Sequence, residues 1–349
     1  MLAAALLVGM AVFFRFLWSE QTAQLETLVL SGNTMATTWQ VKVVGSDFSN
    51  ERKAHLAKII SEKLDMVNSQ MSPYHRGGDI YRLNEAAMGE AVRVHPEVLV
   101  VLHRAIDISV MTGGAFDVTV GPLIRLWGFH DKKELLTPPS DKAIKEAKAK
   151  IGYQHLRLDD ASSTVTKAVA GLDVDLSAIA KGRAVDMVAE TLDAAGEENY
   201  MIEVGGEIRC LGKNDSGRAW RIGIEKPAGP GDVQRSVLEV VDLSSLSMAT
   251  SGDYRSYYMI NNERFSHTIN PTTGKPVSHA LASVSVLTSD CMTADALATG
   301  FTVLGLKESI RIADKHGYAA YFVERVDGGF KTIASKMFER RFGMKESEK

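Results

Sequence analysis

The chain has 349 residues, 45% hydrophobic and 24% charged, with 40 basic against 43 acidic side chains and a formal net charge of −3. This composition excludes a disordered chain, a collagen and a polytopic membrane protein, and leaves an ordinary globular one. Binding a phosphate backbone needs a concentrated basic surface, whereas Lys and Arg are spread along this chain, so no nucleic-acid partner is expected.

At roughly 100–200 residues per domain, the length allows two or three domains or one large one. Two cysteines, Cys210 and Cys291, are too few for a disulfide framework and lack zinc-ligand spacing. Whether they pair is left open at this level.

Residues 1–18, MLAAALLVGMAVFFRFLW, are almost entirely apolar and interrupted only by Arg15. A buried core helix is one reading; the terminal position and the polar SEQTAQ that follows favour an export segment. A spanning helix needs about 20 apolar residues and a signal-peptide core about 7–15, so the length lies between a membrane anchor and a cleaved signal. Either places the rest of the chain outside the cytoplasm. No basic residue precedes the run, no clean small-x-small cleavage site follows it, and no nearby cysteine could accept a lipid.

Next, TLVLSGNTMATTWQVKVVG alternates as two strands, with Gly32-Asn33 as the turn signal between them. Leu56, Ile59, Ile60, Leu64 and Val67 have helical spacing, predicting a helix over 51–71. Pro96 opens a second helix, over 97–111, which Gly113-Gly114 closes. Further helices are predicted within 141–151, polar enough for a surface, and over 177–194. From 199 to 286 short strands alternate with Gly, Pro and Asn: YMIEVGGEIRCLG, WRIGIEKP, RSVLEVVDL, SLSMATSG, RSYYMI and ASVSVLT. Helices over 293–303 and 306–315 and a strand pair, 319–323 with 330–333, complete the chain. Strands and helices are segregated more than alternated, which predicts an α+β fold of antiparallel strands. With no internal repeat, low-complexity tract or linker, the expected layout is a leader over 1–25, one large domain over 26–340 and a charged tail over 341–349.

Three segments carry candidate chemistry. In DVDLSAIAKGRAVD (173–186), strand-like DVDL runs into a helix that bears Lys181 and Gly182. A carboxylate, small residues and a lysine one turn into a helix can hold a phosphorylated ligand. A surface lysine with a capping aspartate is an equal alternative, and the spacing is not that of a P-loop. In SDCMTADALATGFTVLG (289–305), Asp295 and Thr299 lie four apart on one helix face, so their oxygens could bind one hard cation such as Mg²⁺. The alternative is that Thr293 caps this helix and Asp295 answers its dipole. In FSHTINPTTGKPV (265–277), His267 precedes rigid turns, as a directed general base would, or as any solvent-facing loop histidine would. GGAFDVTVGPL (113–123) and EVGGE (203–207) add glycine turns beside carboxylates; Tyr74 and Met35 suit either a core or a wall against a flat ring.

In order, TMATTW, MSPY with DIYRLN, GGAFDVTVGPL, DLSAIAKGRAVD, GGEI, WRIGIEKP, MATSGDY, SHTINPTTGKPV and TADALATG resemble the FAD:protein FMN transferases, the ApbE family. The resemblance runs from about residue 27 to 335. It implies an α+β, ApbE/T-fold-like single domain and a Mg²⁺-dependent transferase. Such an enzyme cleaves FAD and joins FMN through a phosphoester to an acceptor threonine, releasing AMP. It further implies that Met35, Tyr74, Ala115, Phe116, Asp117, Asp175 and Lys181 contact FAD, with Thr268 and Ile269 touching the flavin nucleotide. Asp295, Thr299 and the carbonyl of Ala178 would hold the metal, His267 would be the base, and Lys181 would add positive charge.

Two departures qualify the resemblance: Ala36 stands where glycine is more usual, and Glu203 and Glu207 stand where Asn and Asp are common. No ligand role is therefore carried to either glutamate. The implied acceptors are subunits of a sodium-translocating NADH:quinone reductase or related electron-transport complex. The implied location is the periplasmic side of a bacterial inner membrane, or the periplasm if the leader is cleaved. A metal-dependent FAD pyrophosphatase and a periplasmic flavin-binding protein are the rival readings.

Overall fold

The computed structural model describes residues 25–130, 135–227, 236–253, 257–260 and 263–343. The apolar run over 1–18 lies outside them, as does most of the charged tail. No helix among the described residues is long and apolar enough to cross a membrane.

Strands β1 (Glu26–Thr34) and β2 (Thr37–Gly45) lead into α1 (Asn50–Met71), α2 (Asp79–Glu85), β3 (Ala91–Arg93) and α3 (Pro96–Met111). Short helices α4 (Gly121–Leu126) and α5 (Asp141–Lys148) precede β4 (Leu156–Asp159), β5 (Thr164–Lys167) and α6 (Ala180–Ala194). The strand-rich stretch holds β6 (Tyr200–Val204), β7 (Glu207–Leu211), β8 (Trp220–Glu225), β9 (Val237–Leu243) and β10 (Leu246–Gly252). It continues through β11 (Tyr257–Ile260), β12 (Glu263–Ser266), β13 (Ile269–Asn270), β14 (Lys275–Pro276) and β15 (Leu281–Thr288). The chain then runs through α7 (Cys291–Leu304), α8 (Leu306–His316), β16 (Ala319–Val326), β17 (Gly329–Ala334) and α9 (Lys336–Phe342).

Eight strands form one antiparallel sheet in the order β1-β2-β6-β7-β10-β15-β16-β17. Every residue of β15 is buried, as a strand covered on both faces requires. One face carries α1, α3, α6 and α7, whose apolar stripes meet Val41, Ile202, Val284 and Phe322. Leu56, Ile60, Leu64 and Val67 of α1 are all buried there, each contributing about 1.5–3 kcal/mol by leaving water. The opposite face is covered by the β8–β9 ribbon and α9 through Trp220, Ile222, Leu243 and Phe338. The α+β architecture expected from segregated strands and helices is therefore the observed one.

The first hairpin turns later than the sequence suggests. Gly32 and Asn33 lie inside β1, and the turn is Met35-Ala36, with φ of 46° and 56°. A two-residue hairpin loop of this kind needs positive φ at both positions, and alanine occupies here the left-handed region that glycine enters freely. Gly32 faces Trp39 across the pair, where a Cβ would stand 2.8 Å from the indole nitrogen. Glycine is needed there for the missing side chain, not for a turn. Helix α6 starts at Ala180, three residues later than its periodicity suggests, because 176–179 form a preceding turn in which Ala180 N–H donates to Leu176 O at 2.8 Å. The small β3-β5-β4 sheet, α2, α4 and α9 are too short to show a period.

Candidate functional site

Six segments distant in sequence line one cleft of about 380 Å³. Its floor is the junction of α6 and α7. Gly182 makes that junction possible, since a Cβ there would lie 2.4 Å from Cys291 O and 2.7 Å from Met292 Cα. Asp186 accepts the N–H groups of Cys291 and Met292 at 2.8 Å each, fixing the start of α7 with a carboxylate at its positive end. Asp290 is the cap of α7, taking the Thr293 N–H at 2.8 Å. Thr293 is therefore not the cap, and its own buried hydroxyl oxygen has no partner. Asp295 does not serve its own helix end either: its Oδ2 accepts the Gly182 N–H at 3.0 Å, tying α7 to α6.

Lys181 rises from the first turn of α6 between two carboxylates. Its Nζ is 2.7 Å from Glu207 Oε1 and 3.9 Å from Asp295 Oδ1. Burial works against the ammonium, but Asp295 and Glu207 outweigh it and hold the lysine firmly charged. Burial likewise raises Asp295, opposed by Lys181. Glu207 is pushed to about 7, first by burial, with Lys181 pulling it down and Asp295 pushing it up.

The second wall comes from two segments that run side by side. Val120 bridges Asp173 in parallel, and Asp175 N–H donates to Val118 O at 2.7 Å. This pairing brings Ala115, Phe116 and Asp117 to the cleft together with Asp175, Ser177 and Ala178. Asp117 has its carboxylate engaged by the N–H and hydroxyl of Thr119 and by Tyr153 N–H; burial still raises its pKa. One oxygen of Asp175 accepts the N–H and hydroxyl of Ser177 at 2.8 and 2.6 Å.

The third wall is the bend after β12, where exposed His267 stands beside buried Thr268 and Ile269. Trp127 holds this wall in place, its indole N–H donating to Gly274 O while the Tyr258 hydroxyl donates to Trp127 O, both at 2.8 Å. Thr250, Ser251 and Gly252 at the end of β10 close the ring, with the Thr250 and Ser285 hydroxyls 2.7 Å apart.

Met35 and Tyr74 are the two expected ligand contacts that do not line the cleft. Met35 sits at the tip of the first hairpin, two residues from Thr37, which closes over Gly205 of the cleft wall. Tyr74 is 57% exposed, with its ring 4.6 Å from that of His130 and its hydroxyl donating to His130 O. Conversely, sequence reasoning assigns no ligand role to Glu207, which is buried in the cleft beside Lys181. The available signal was its place directly after the Gly205-Gly206 turn. Glu203 accepts the Gly206 N–H at 2.6 Å and so shapes that turn.

Asp295, Thr299 and Ala178 line the cleft together, and their carboxylate, hydroxyl and backbone carbonyl would make an all-oxygen set that suits a hard cation such as Mg²⁺. No cluster of three or more His, Cys, Asp or Glu side chains suited to a metal occurs among the described residues. A cation here would therefore rest on those few oxygens and on its ligand.

The family model described as ApbE family matches residues 35–322. The chain belongs to this family. The FAD:protein FMN transferase of Haemophilus influenzae is 42% identical over 330 residues, covering 93% of this chain and 94% of that one. The protein of the same description from Vibrio cholerae is 41% identical, over 90% and 92% of the two chains. Among solved structures, the flavin transferase ApbE of Vibrio cholerae superposes with a TM-score of 0.82 at 38% identity, covering 91% of this chain and all of that one. The Pseudomonas stutzeri flavinyl transferase ApbE, in its apo form, gives 0.83 at 34% identity over 92% and 98%. The large antiparallel sheet with its helical cover is thus the family's fold.

Proposed function

We propose that this chain is an FAD:protein FMN transferase that uses Mg²⁺ and delivers FMN to a threonine hydroxyl. The observation that carries the reading is the Lys181–Glu207–Asp295 cluster in the cleft of a chain that aligns with FMN transferases over about nine-tenths of its length. A diphosphate is an anion between two nucleotide halves, and phosphoryl transfer asks mainly for positioning and charge neutralisation. Asp295, Thr299 and the Ala178 carbonyl would hold the cation, which, when bound, would offset charge on the diphosphate. Lys181 supplies a fixed positive charge beside it. At the cleft mouth His267 takes the proton of the incoming threonine hydroxyl. A bond forms from that oxygen to the FMN phosphorus, the bond to the AMP oxygen breaks, and AMP leaves. The chemistry requires no covalent intermediate on the protein.

Incubation with FAD, Mg²⁺ and a threonine-containing acceptor peptide tests this. Flavin fluorescence that stays with the denatured peptide is the expected result. Release of free FMN and AMP alone would instead make the protein a pyrophosphatase, and FAD recovered intact would make it a carrier.

The acceptor and the location belong to the same proposal. The apolar run over 1–18 supports an outward-facing enzyme at the inner membrane, next to membrane-bound redox subunits of the sodium-translocating NADH:quinone reductase type. Mass spectrometry of covalently flavinylated proteins, with and without the gene, identifies the acceptor. A full-length protein recovered from the cytosolic fraction would overturn the location.

A further inference from the structure

Lysine has a flexible four-carbon stem, so a lysine that must present its charge at one point needs something to hold it. In this cleft the holder is visible. The stem of Lys181 crosses Gly205, where a Cβ would stand 3.2 Å from Lys181 Cδ, and ends 2.7 Å from Glu207 Oε1. Asp295, at 3.9 Å, contributes charge at a distance too long for a hydrogen bond. Glu207 is itself rigidly placed. It follows two glycines with φ of 63° and 105°, and Glu203 fixes the turn from below by accepting the Gly206 N–H. Glu207 lines the cleft and only 4% of it is exposed, yet its buried Oε2 has no protein donor. A carboxylate buried for packing alone would have both oxygens satisfied. The glycine gap, the short contact and the stranded oxygen point the same way.

We propose that Glu207 is the positioning residue of this site: it aims the Lys181 ammonium at the phosphates of the bound dinucleotide, acting through the lysine and not on the phosphates. The inference rests on the reading of the cleft as an FAD site. Because the Gly205-Gly206 turn fixes the backbone, carboxylate reach matters; an aspartate, shorter by one carbon–carbon bond of about 1.5 Å, does not restore the contact.

The test is a double-mutant cycle read by FAD affinity, from flavin fluorescence with metal removed and with Mg²⁺ present, and by kcat and KM for FAD. E207A and K181M are each expected to weaken FAD binding by about tenfold or more, the order of a lost charge-assisted hydrogen bond. The double variant should be within about twofold of K181M, because a residue that acts only through Lys181 has nothing left to position. E207Q, which keeps an acceptor oxygen, should recover more affinity than E207D, and thermal melting of each variant separates these effects from folding. Losses that simply add in the double variant, or wild-type affinity in E207A, would overturn the proposal. Should E207A fail to fold, the same comparison of E207D alone and in the K181M background decides it. A wild-type protein that binds no FAD would instead refute the transferase reading itself.

Discussion

Asp295 uses one carboxylate oxygen to hold the Gly182 N–H and keeps the other toward Lys181 and the cleft. The two roles can be separated by mutation. Asp295→Ala strands a buried N–H, costs about 1–3 kcal/mol of stability and abolishes turnover. Asp295→Asn can keep the N–H contact, so it should melt near the wild type yet lose Mg²⁺-dependent activity; full activity at limiting Mg²⁺ would refute the ligand role. His267 lies on an exposed bend at the mouth, so His267→Ala should leave FAD affinity within about twofold while transfer falls by the roughly 10²–10⁴ usual for a lost general base. Wild-type flavinylation by that variant would dismiss it as the base.

The thiols show the opposite chemistry. Cys210 and Cys291 are free and buried, and burial pushes Cys210 to about 12 and Cys291 well above the ordinary thiol range. Neither is a thiolate near neutrality, so a disulfide reagent should titrate no thiol in the native protein and two after denaturation. At this scale the sequence was most informative where the proposed role belongs to a side chain's own chemistry, as for Asp295, Thr299, Lys181 and His267, and all four line the cleft. It marked the EVGGE turn but gave Glu207 no role, because the contact that matters is with a lysine brought to strand β7 by helix α6.

At the scale of elements, the α6–α7 junction determines whether the site exists. The two helices meet at backbone contact only because residue 182 has no side chain. Gly182→Ala should cost about 1–3 kcal/mol, the usual penalty of overpacking, and should also move Lys181 away from Asp295. Denaturant unfolding and FAD titration check the two effects separately; a variant that melts normally and binds normally would mean that the helices can part without consequence. The long helices were legible because their burial is periodic over several turns, as in α1. The hairpin turn was not, since Met35-Ala36 reaches positive φ without the glycine that usually announces it. Likewise, the six residues of α4 carry too little pattern to be read, though they lead into Trp127 and the His267 wall.

For the whole molecule, the cleft links the α6–α7 junction, the end of β10 and the bend after β12, so a ligand bound there braces elements from across the sheet. FAD with Mg²⁺ at roughly a hundredfold excess over its dissociation constant should stabilise the native state by about 2.7 kcal/mol, seen as a rise in Tm. FAD alone should achieve less if the cation helps to hold the phosphates. An equal shift with and without Mg²⁺ would contradict the assignment of Asp295 and Thr299. Overall architecture was legible from the segregation of strands and helices. Strand order was not, because β2 pairs with β6 and β10 with β15 across long intervals of chain that leave no local trace.

The wide separation of the six cleft segments also governs how the protein comes to be active. Ala115 and Thr299 both line the cleft, and Gly300 sits against Phe116, where a Cβ on the glycine would lie 3.2 Å from Phe116 Cβ. Contacts between such distant parts of a chain carry a large closure entropy and form late in folding. A chain that ends before α7 therefore lacks Asp295 and Thr299 and the wall they form. Activity should appear in a single step with the last long-range contacts, which makes flavin binding a faithful reporter of complete folding.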